Sequence, residues 1–395
     1  MSLFRNKIFW SVLVVGLAIS CKNNDPKPVI YYESSEQVLS YTASQIKTSL
    51  LFAGATDLAA RMQYDITVSK FNYHVTYKGT DRIASGLICV PTTTDPLPLA
   101  SLQHGTISAN SDAPSVGYTD YAQHTWFASM GYILVIPDYI GFGETVDLLH
   151  PYYHAEYTAH SVINMLLAAR QYATQEALNF NNKLFLAGYS EGGFATMATH
   201  KFLEQDYPDE FDLIASAPAA GAYAVREILD YFLTLDTYPE PFYITYVAMA
   251  YKDIYEFSTP LNAVFNEPYA SVIPTLFDGT LSSGQINSQL TTDLTALFTA
   301  DFRANSSTQA TYAPLMDAFD ENSLTNWVPK APMYMYHGTV DAIVPYDNSQ
   351  LTYDKLIAGG ASADIVKLIP LAGANHGTGF TPYLFDIITL FEGLK

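Results

Sequence analysis

Cysteine is almost absent from this chain: two residues in 395, Cys21 and Cys89. A disulfide framework and a cysteine-rich metal site are therefore both excluded as the basis of its stability. Cys89 lies inside an apolar run and reads as a small buried hydrophobe. Basic residues are also few, 19 Lys and Arg against 39 Asp and Glu, for a formal net charge of −20. So acidic a surface repels phosphate backbones and anionic headgroups, which argues against nucleic-acid partners. No Gly-rich phosphate loop or dinucleotide fingerprint occurs, and no cofactor is expected. What is plentiful is apolar and aromatic surface: 49% hydrophobic residues, with 30 Tyr and 22 Phe, enough for a sizeable core. The length exceeds that of one ordinary core, so one large domain with an insertion, or two domains, is expected.

The first twenty residues read as a targeting segment, with Arg5 and Lys7 ahead of an apolar run from Ile8 to Ile19 that is too short to span a bilayer. Leu17-Ala18-Ile19-Ser20-Cys21 resembles a bacterial lipoprotein processing site, which would make Cys21 a lipid-bearing first residue and the only link to a membrane. The match departs from the usual pattern in placing Leu four positions before the Cys. Residues 21–34 are expected to be a tether, and an exported, envelope-held or secreted protein follows.

Residues 35–64 read as weakly amphipathic helix. Beyond them, strand-length apolar runs alternate with helical periodicity, the pattern of a mostly parallel α/β sheet covered on both faces. Phe71, Tyr73, Val75 and Tyr77 alternate with polar residues, as on a half-buried strand near a sheet edge. Further strands are expected at 83–90, 98–103, 132–137, 184–188, 212–217, 332–336 and 364–369. Helices are expected near 117–129, 155–171, 191–205, 347–357 and 380–394. In the last of these Leu384, Ile387, Ile388, Phe391 and Leu394 form one stripe. Residues 222–326 are far longer than a crossover needs and should form an inserted, aromatic-rich helical cap between core parts 35–221 and 327–395.

Gly188-Tyr189-Ser190-Glu191-Gly192-Gly193 follows a buried strand and opens a helix. A turn that sharp admits only small residues at its flanks and presents a serine hydroxyl at the carboxyl edge of a sheet, where it can act as a nucleophile. A serine needs an adjacent base, and the base an orienting acid. His376, in the loop after the last strand, is the candidate base. Asp341, in His337-Gly338-Thr339-Val340-Asp341, is the candidate acid, with Asp347 its competitor and more simply a helix cap. Two oxyanion donors are required, for which the backbone N–H groups of Glu191 and Thr106 are the candidates and Gly105 is next. His104 is expected to shape the loop Gln103-His104-Gly105-Thr106, and Asp138 to stabilise its own turn. His150 and His154 have a metal-ligand spacing for a helix, but Pro151 between them argues for a loop, and no metal is expected.

Together, Gln103-His104-Gly105-Thr106, Pro137-Asp138-Tyr139-Ile140-Gly141-Phe142-Gly143, the Ser190 turn and the Asp341 segment resemble the secretory-lipase-like branch of the α/β-hydrolase superfamily over residues 68 to 395. The resemblance implies an esterase or lipase that needs no cofactor, with Ser190, Asp341 and His376 as its triad. Two other readings stand beside it: a prolyl-oligopeptidase-like serine peptidase, which would ordinarily carry a β-propeller that finds no room here, and a non-catalytic binding protein on the same scaffold.

Overall fold

The computed structural model describes residues 29–395. The expected leader, Cys21 and the first part of the tether lie outside the described residues. Nine strands form one sheet: β1 (Tyr32–Tyr41), β2 (Ile66–Tyr77), β3 (Thr80–Pro91), β4 (Leu97–Gln103), β5 (Ile133–Pro137), β6 (Phe180–Tyr189), β7 (Asp212–Ala219), β8 (Met333–Gly338) and β9 (Val366–Leu371). Their order is β1-β2-β3-β5-β4-β6-β7-β8-β9. The pairs from β1 to β5 are antiparallel and all pairs from β5 through β4 to β9 are parallel.

The central strands are apolar on both sides because both sides are covered. Leu184 and Leu186 of β6, like Ile133 and Val135 of β5, enter one apolar cluster with the helices Ala155–Gln175 and Glu191–Asp206. Phe185, Ala187, Leu134 and Ile136 enter a second cluster, on the opposite face, with the helices Ala43–Phe52 and Phe380–Leu394. Of the stripe expected on the last helix, Ile387, Ile388 and Phe391 are buried, Leu384 is half-buried and Leu394 is exposed. Phe391 meets Phe185 at 4.9 Å between ring centroids, and burying each such ring contributes about 2–3 kcal/mol. Cys89 is a buried thiol in this second cluster.

Three expectations are corrected. Residues 35–41 are not helical: they belong to β1, which begins at Tyr32, inside the stretch read as a tether. Most of this strand is exposed on both faces, so no two-residue alternation marks it, and two register shifts break its ladder against β2. What holds it is backbone pairing, which covers the otherwise open edge of β2, together with the rings of Tyr32 on Phe71 and Tyr41 on Trp126. The Phe71–Tyr77 strand is accordingly second from the edge. Residues 117–129 form no continuous helix, only turns, a short helix Ala122–Thr125 and a 3-10 turn Trp126–Met130 that Gly131 ends at φ 86°.

Between β7 and β8 the chain is helical, with the helices Val225–Thr234, Pro241–Tyr255 and Ala313–Glu321 the longest of eight. Phe232, Phe242, Tyr246 and Tyr251 of this segment are buried in the same cluster that covers β5 and β6, so its aromatics extend the main core rather than filling a separate one.

Candidate active site

The carboxyl ends of β4, β6, β8 and β9 lie along one edge of the sheet, and the register Gln103↔Gly188, Tyr189↔Ala219 and Gly338↔Leu371 aligns them. Ser190 follows β6 directly with φ 62° and ψ −123°, a left-handed conformation that costs a non-glycine residue about 1–3 kcal/mol. Its neighbours explain why the turn tolerates no larger residues. A Cβ on Gly188 would stand 2.2 Å from the Gly192 carbonyl oxygen, one on Gly192 2.0 Å from the Gln103 oxygen, and one on Gly193 2.1 Å from the Ala219 oxygen. The glycines let the helix Glu191–Asp206 sit against β4 and β7, and the Ser190 N–H donates to the Ala219 oxygen at 2.8 Å.

The structure brings Ser190, His376 and Asp341 into one chain of hydrogen bonds. His376 Nε2 lies 2.9 Å from Ser190 Oγ, and His376 Nδ1 lies 2.6 Å from Asp341 Oδ2. A carboxylate only accepts, so Nδ1 carries the imidazole proton and the Nε2 lone pair faces the serine hydroxyl. Asp341 Oδ1 accepts from the Ile343 and Val344 N–H groups, each at 2.9 Å. Asp347 lies in the first turn of the helix Tyr346–Ala358; the helix is capped at Pro345 without a side-chain bond, so the competitor acid is neither at the site nor a cap.

Three supporting side chains escaped the sequence reading. Fully buried His337 places Nε2 2.8 Å from the Val344 oxygen and 3.3 Å from Asp341 Oδ2, while Ser349 Oγ lies 2.6 Å from its Nδ1. The Val344 carbonyl can only accept, so the Nε2 proton also faces Asp341. Tyr189 donates its hydroxyl to the His376 oxygen at 2.7 Å, and Tyr383 donates to the Ala217 oxygen at 2.7 Å while accepting from the Gly188 N–H at 2.8 Å. His337 stands inside the Asp341 motif and was open to notice; the tyrosines are two among thirty, and no spacing marks them.

Burial alone would raise the Asp341 pKa, but hydrogen bonds from His337 and His376 outweigh it and hold the carboxyl well below the usual range. A folded pKa below the unfolded value of about 3.9 contributes stability that is present above that value and lost as pH falls through the folded one. The melting-temperature gap between the wild type and Asp341→Asn is therefore expected to be full near pH 7 and to shrink below about pH 4. A gap that is the same at about pH 3 and pH 7 would show that the carboxylate charge does not stabilise the fold.

Thr106 lies in the loop after β4, its hydroxyl 2.8 Å from that of Tyr152, and a Cβ on its neighbour Gly105 would stand 3.7 Å from Ser190 Cβ. His104 does shape this loop: desolvation holds its pKa below the ordinary range, and Nδ1 reaches the Gly105 oxygen at 2.7 Å. Asp138 bonds other segments rather than its own turn. Fully buried, it accepts from Ser85 Oγ at 2.6 Å and from the N–H and hydroxyl of Ser115, tying β3 and the 115 loop to the end of β5. His154 caps the helix Ala155–Gln175, accepting from the Tyr157 N–H, whereas His150 turns inward to Glu191. The two diverge, and among the described residues no cluster of His, Cys, Asp and Glu could hold a metal.

Ser190 opens on an apolar pocket of about 570 Å³, mouth included, walled by Tyr152 and Tyr153 from the core and by Leu229, Phe232 and Val247 from the helical segment.

The chain matches the model of the secretory lipase family over residues 125–376. Lipase 5 of Candida albicans is 25% identical over 357 residues, which span 80% of this chain and 70% of that protein. Among solved structures, the rice cell wall degrading esterase LipA of Xanthomonas oryzae superposes with a TM-score of 0.79 at 25% identity, covering 92% of this chain and 99% of that one. The closed form of Candida antarctica lipase A, at 17% identity and a TM-score of 0.68 over 92% and 82% of the two chains, shares the fold. These likenesses establish an α/β-hydrolase fold and a carboxylic ester hydrolase. The chain belongs to the secretory lipase family.

Proposed function

We propose that the chain cleaves esters with an apolar acyl or aryl group through an acyl-enzyme on Ser190, with His376 as the base and Asp341 as the acid that orients it. The observation that carries this reading is the hydrogen-bond chain from Ser190 Oγ through His376 to Asp341 at the mouth of an apolar pocket. As Ser190 Oγ attacks the ester carbonyl, its proton passes to His376 Nε2, and Asp341 stabilises the imidazolium. The carbonyl oxygen, now an anion, is received by the N–H groups of Glu191 and Thr106. The Glu191 N–H, first in its helix, has no partner within that helix. Collapse releases the alcohol, which takes the proton from His376. Water then attacks the acyl-enzyme, gives its proton to His376 and frees the acid, with Ser190 restored.

Residues 222–326 act in this reading as the cap that closes the pocket and ranks acyl groups, since Leu229, Phe232 and Val247 line it. The leader-like segment 1–20 and the secretory character of the family support action outside the cytoplasm, and the Leu17–Cys21 sequence supports anchoring there.

An aryl alkylphosphonate, which transfers its phosphonyl group to an activated serine, is expected to label the protein once per chain, at Ser190, and to abolish ester hydrolysis. Labelling at another residue, or none, would overturn the assignment. Leu229→Trp, which fills the pocket, is expected to move the ranking of short against long acyl esters by about 1–3 kcal/mol while a methylphosphonate still labels Ser190 at the wild-type rate. An unchanged ranking would show that the acyl group lies elsewhere.

A further inference from the structure

His150 and Glu191, the latter next to Ser190 in the chain, form a buried hydrogen-bonded pair. His150 Nε2 lies 2.6 Å from Glu191 Oε1, and each side chain is 1% exposed. The other ring nitrogen, Nδ1, lies 2.7 Å from the Ile140 oxygen. Because that carbonyl only accepts, Nδ1 carries a proton, and the short contact to Glu191 places a second proton between the two groups. Whichever partner holds it, the pair is neutral as a unit. Four rings surround the imidazole, those of Tyr139, Phe142, Tyr152 and Tyr246, with centroids 5.0–5.9 Å away, and keep water from the pair. Glu191 Oε2 is buried with no hydrogen-bond partner, so no second donor shares the charge of this carboxylate.

The Pro137–Gly143 segment, to which the triad assigns no part, holds His150 in place. Gly141 adopts φ 97°, and a Cβ there would stand 2.4 Å from His150 Cα, while its neighbour Ile140 supplies the carbonyl that fixes Nδ1. A buried carboxylate needs such a partner wherever it lies, but Glu191 is also the residue whose N–H faces the proposed oxyanion. Two anions side by side in a dry site repel strongly, and an uncompensated Glu191 would oppose the charge that its own amide stabilises.

We propose that His150 is a positioning residue that neutralises Glu191 so that the Glu191 amide can stabilise the oxyanion of the tetrahedral intermediate. The inference rests on the acyl-enzyme reading above. It predicts an order of activities that packing alone does not. On a soluble ester, His150→Phe is expected to lower kcat on the order of 10²–10³-fold, the effect of losing an oxyanion donor, with KM moving less than about threefold. Adding Glu191→Gln to His150→Phe, which removes the stranded charge, is expected to restore at least about tenfold of that kcat. A double variant no better than His150→Phe would overturn the proposal, because the loss would then not come from the charge left on Glu191; both variants are compared at matched melting temperature so that recovered folding is not read as recovered kcat. Should His150→Phe not fold, Glu191→Gln alone decides. A kcat within about tenfold of wild type supports neutralisation, and a loss beyond about a hundredfold overturns it, since the charge itself would then serve the reaction. Phosphonate labelling of the wild type separates the two levels: failure to label Ser190 strikes the acyl-enzyme reading and this inference with it, whereas labelling with the wrong order of variants strikes only the inference.

Discussion

Ser190→Ala is expected to lower kcat on the order of a millionfold while the protein melts within a few degrees of the wild type. The size of the loss follows from what is removed. In the proposed mechanism no acyl-enzyme forms without the hydroxyl, and His376 is left with nothing to deprotonate except water that the site does not position. What survives is the pocket and the two amide donors, together worth about 10³–10⁴ over water in comparable sites. The fold is expected to persist because the strained backbone at Ser190 is held by its glycine neighbours and by the Ser190 N–H bond to Ala219, neither of which uses the hydroxyl. The measurement is steady-state hydrolysis of an activated aryl ester alongside thermal melting. A folded variant that retained wild-type turnover would remove Ser190 from the reaction.

Asp341→Asn is expected to cost about 10⁴ in kcat with little change in KM. In the proposed mechanism the carboxylate acts by choosing a tautomer. As an acceptor it holds the imidazole proton on Nδ1, leaving the Nε2 lone pair for Ser190. An asparagine can turn its NH₂ group toward Nδ1, which moves the ring proton to Nε2 and leaves the base unable to accept the serine proton. The Ile343 and Val344 N–H groups hold Oδ1 and keep the amide oxygen on their side, which favours that outcome. Asp347→Asn serves as the matched control and is expected to change kcat by less than about twofold, as it lies in a helix turn away from His376. Equal effects of the two substitutions would show that Asp341 is not the orienting acid.

The parallel half of the sheet was readable from the chain because its strands are buried on both faces, and short apolar runs such as Leu184-Phe185-Leu186-Ala187 have no other ready interpretation. The sharp turn at Ser190 was readable because its glycines answer to steric limits that are local in sequence. Other features had no such local cause. The first strand is held by backbone pairing and by a few irregularly spaced contacts such as Tyr32 on Phe71 and Tyr41 on Trp126, which leave no regular mark in side-chain pattern. His150 and Glu191 are 41 positions apart, and the same is true in kind of Tyr189 and His376: a hydrogen bond between distant segments has no periodicity. Asp138 shows the converse error. A turn-forming aspartate was a sound local reading, yet its oxygens are occupied by serines from two other segments.

The helical segment leaves the sheet at the carboxyl end of β7 and returns to it at the amino end of the neighbouring, parallel strand β8. Ala220 donates to the Tyr336 oxygen and Ser216 to the Pro332 oxygen, each at 2.9 Å, so the strand before the excursion and the strand after it are stitched together along their length. For a polymer whose ends are already pinned, lengthening the excursion is cheap, since doubling a flexible loop adds only about 0.6 kcal/mol of closure entropy. Ser190 lies before the excursion, Asp341 and His376 after it, and the seam between β7 and β8 holds the halves in register. Such an arrangement lets the excursion tolerate changes of length and sequence while the strands that carry Ser190, Asp341 and His376 keep their pairing, so that the pocket wall can be altered without disturbing the sheet beneath it.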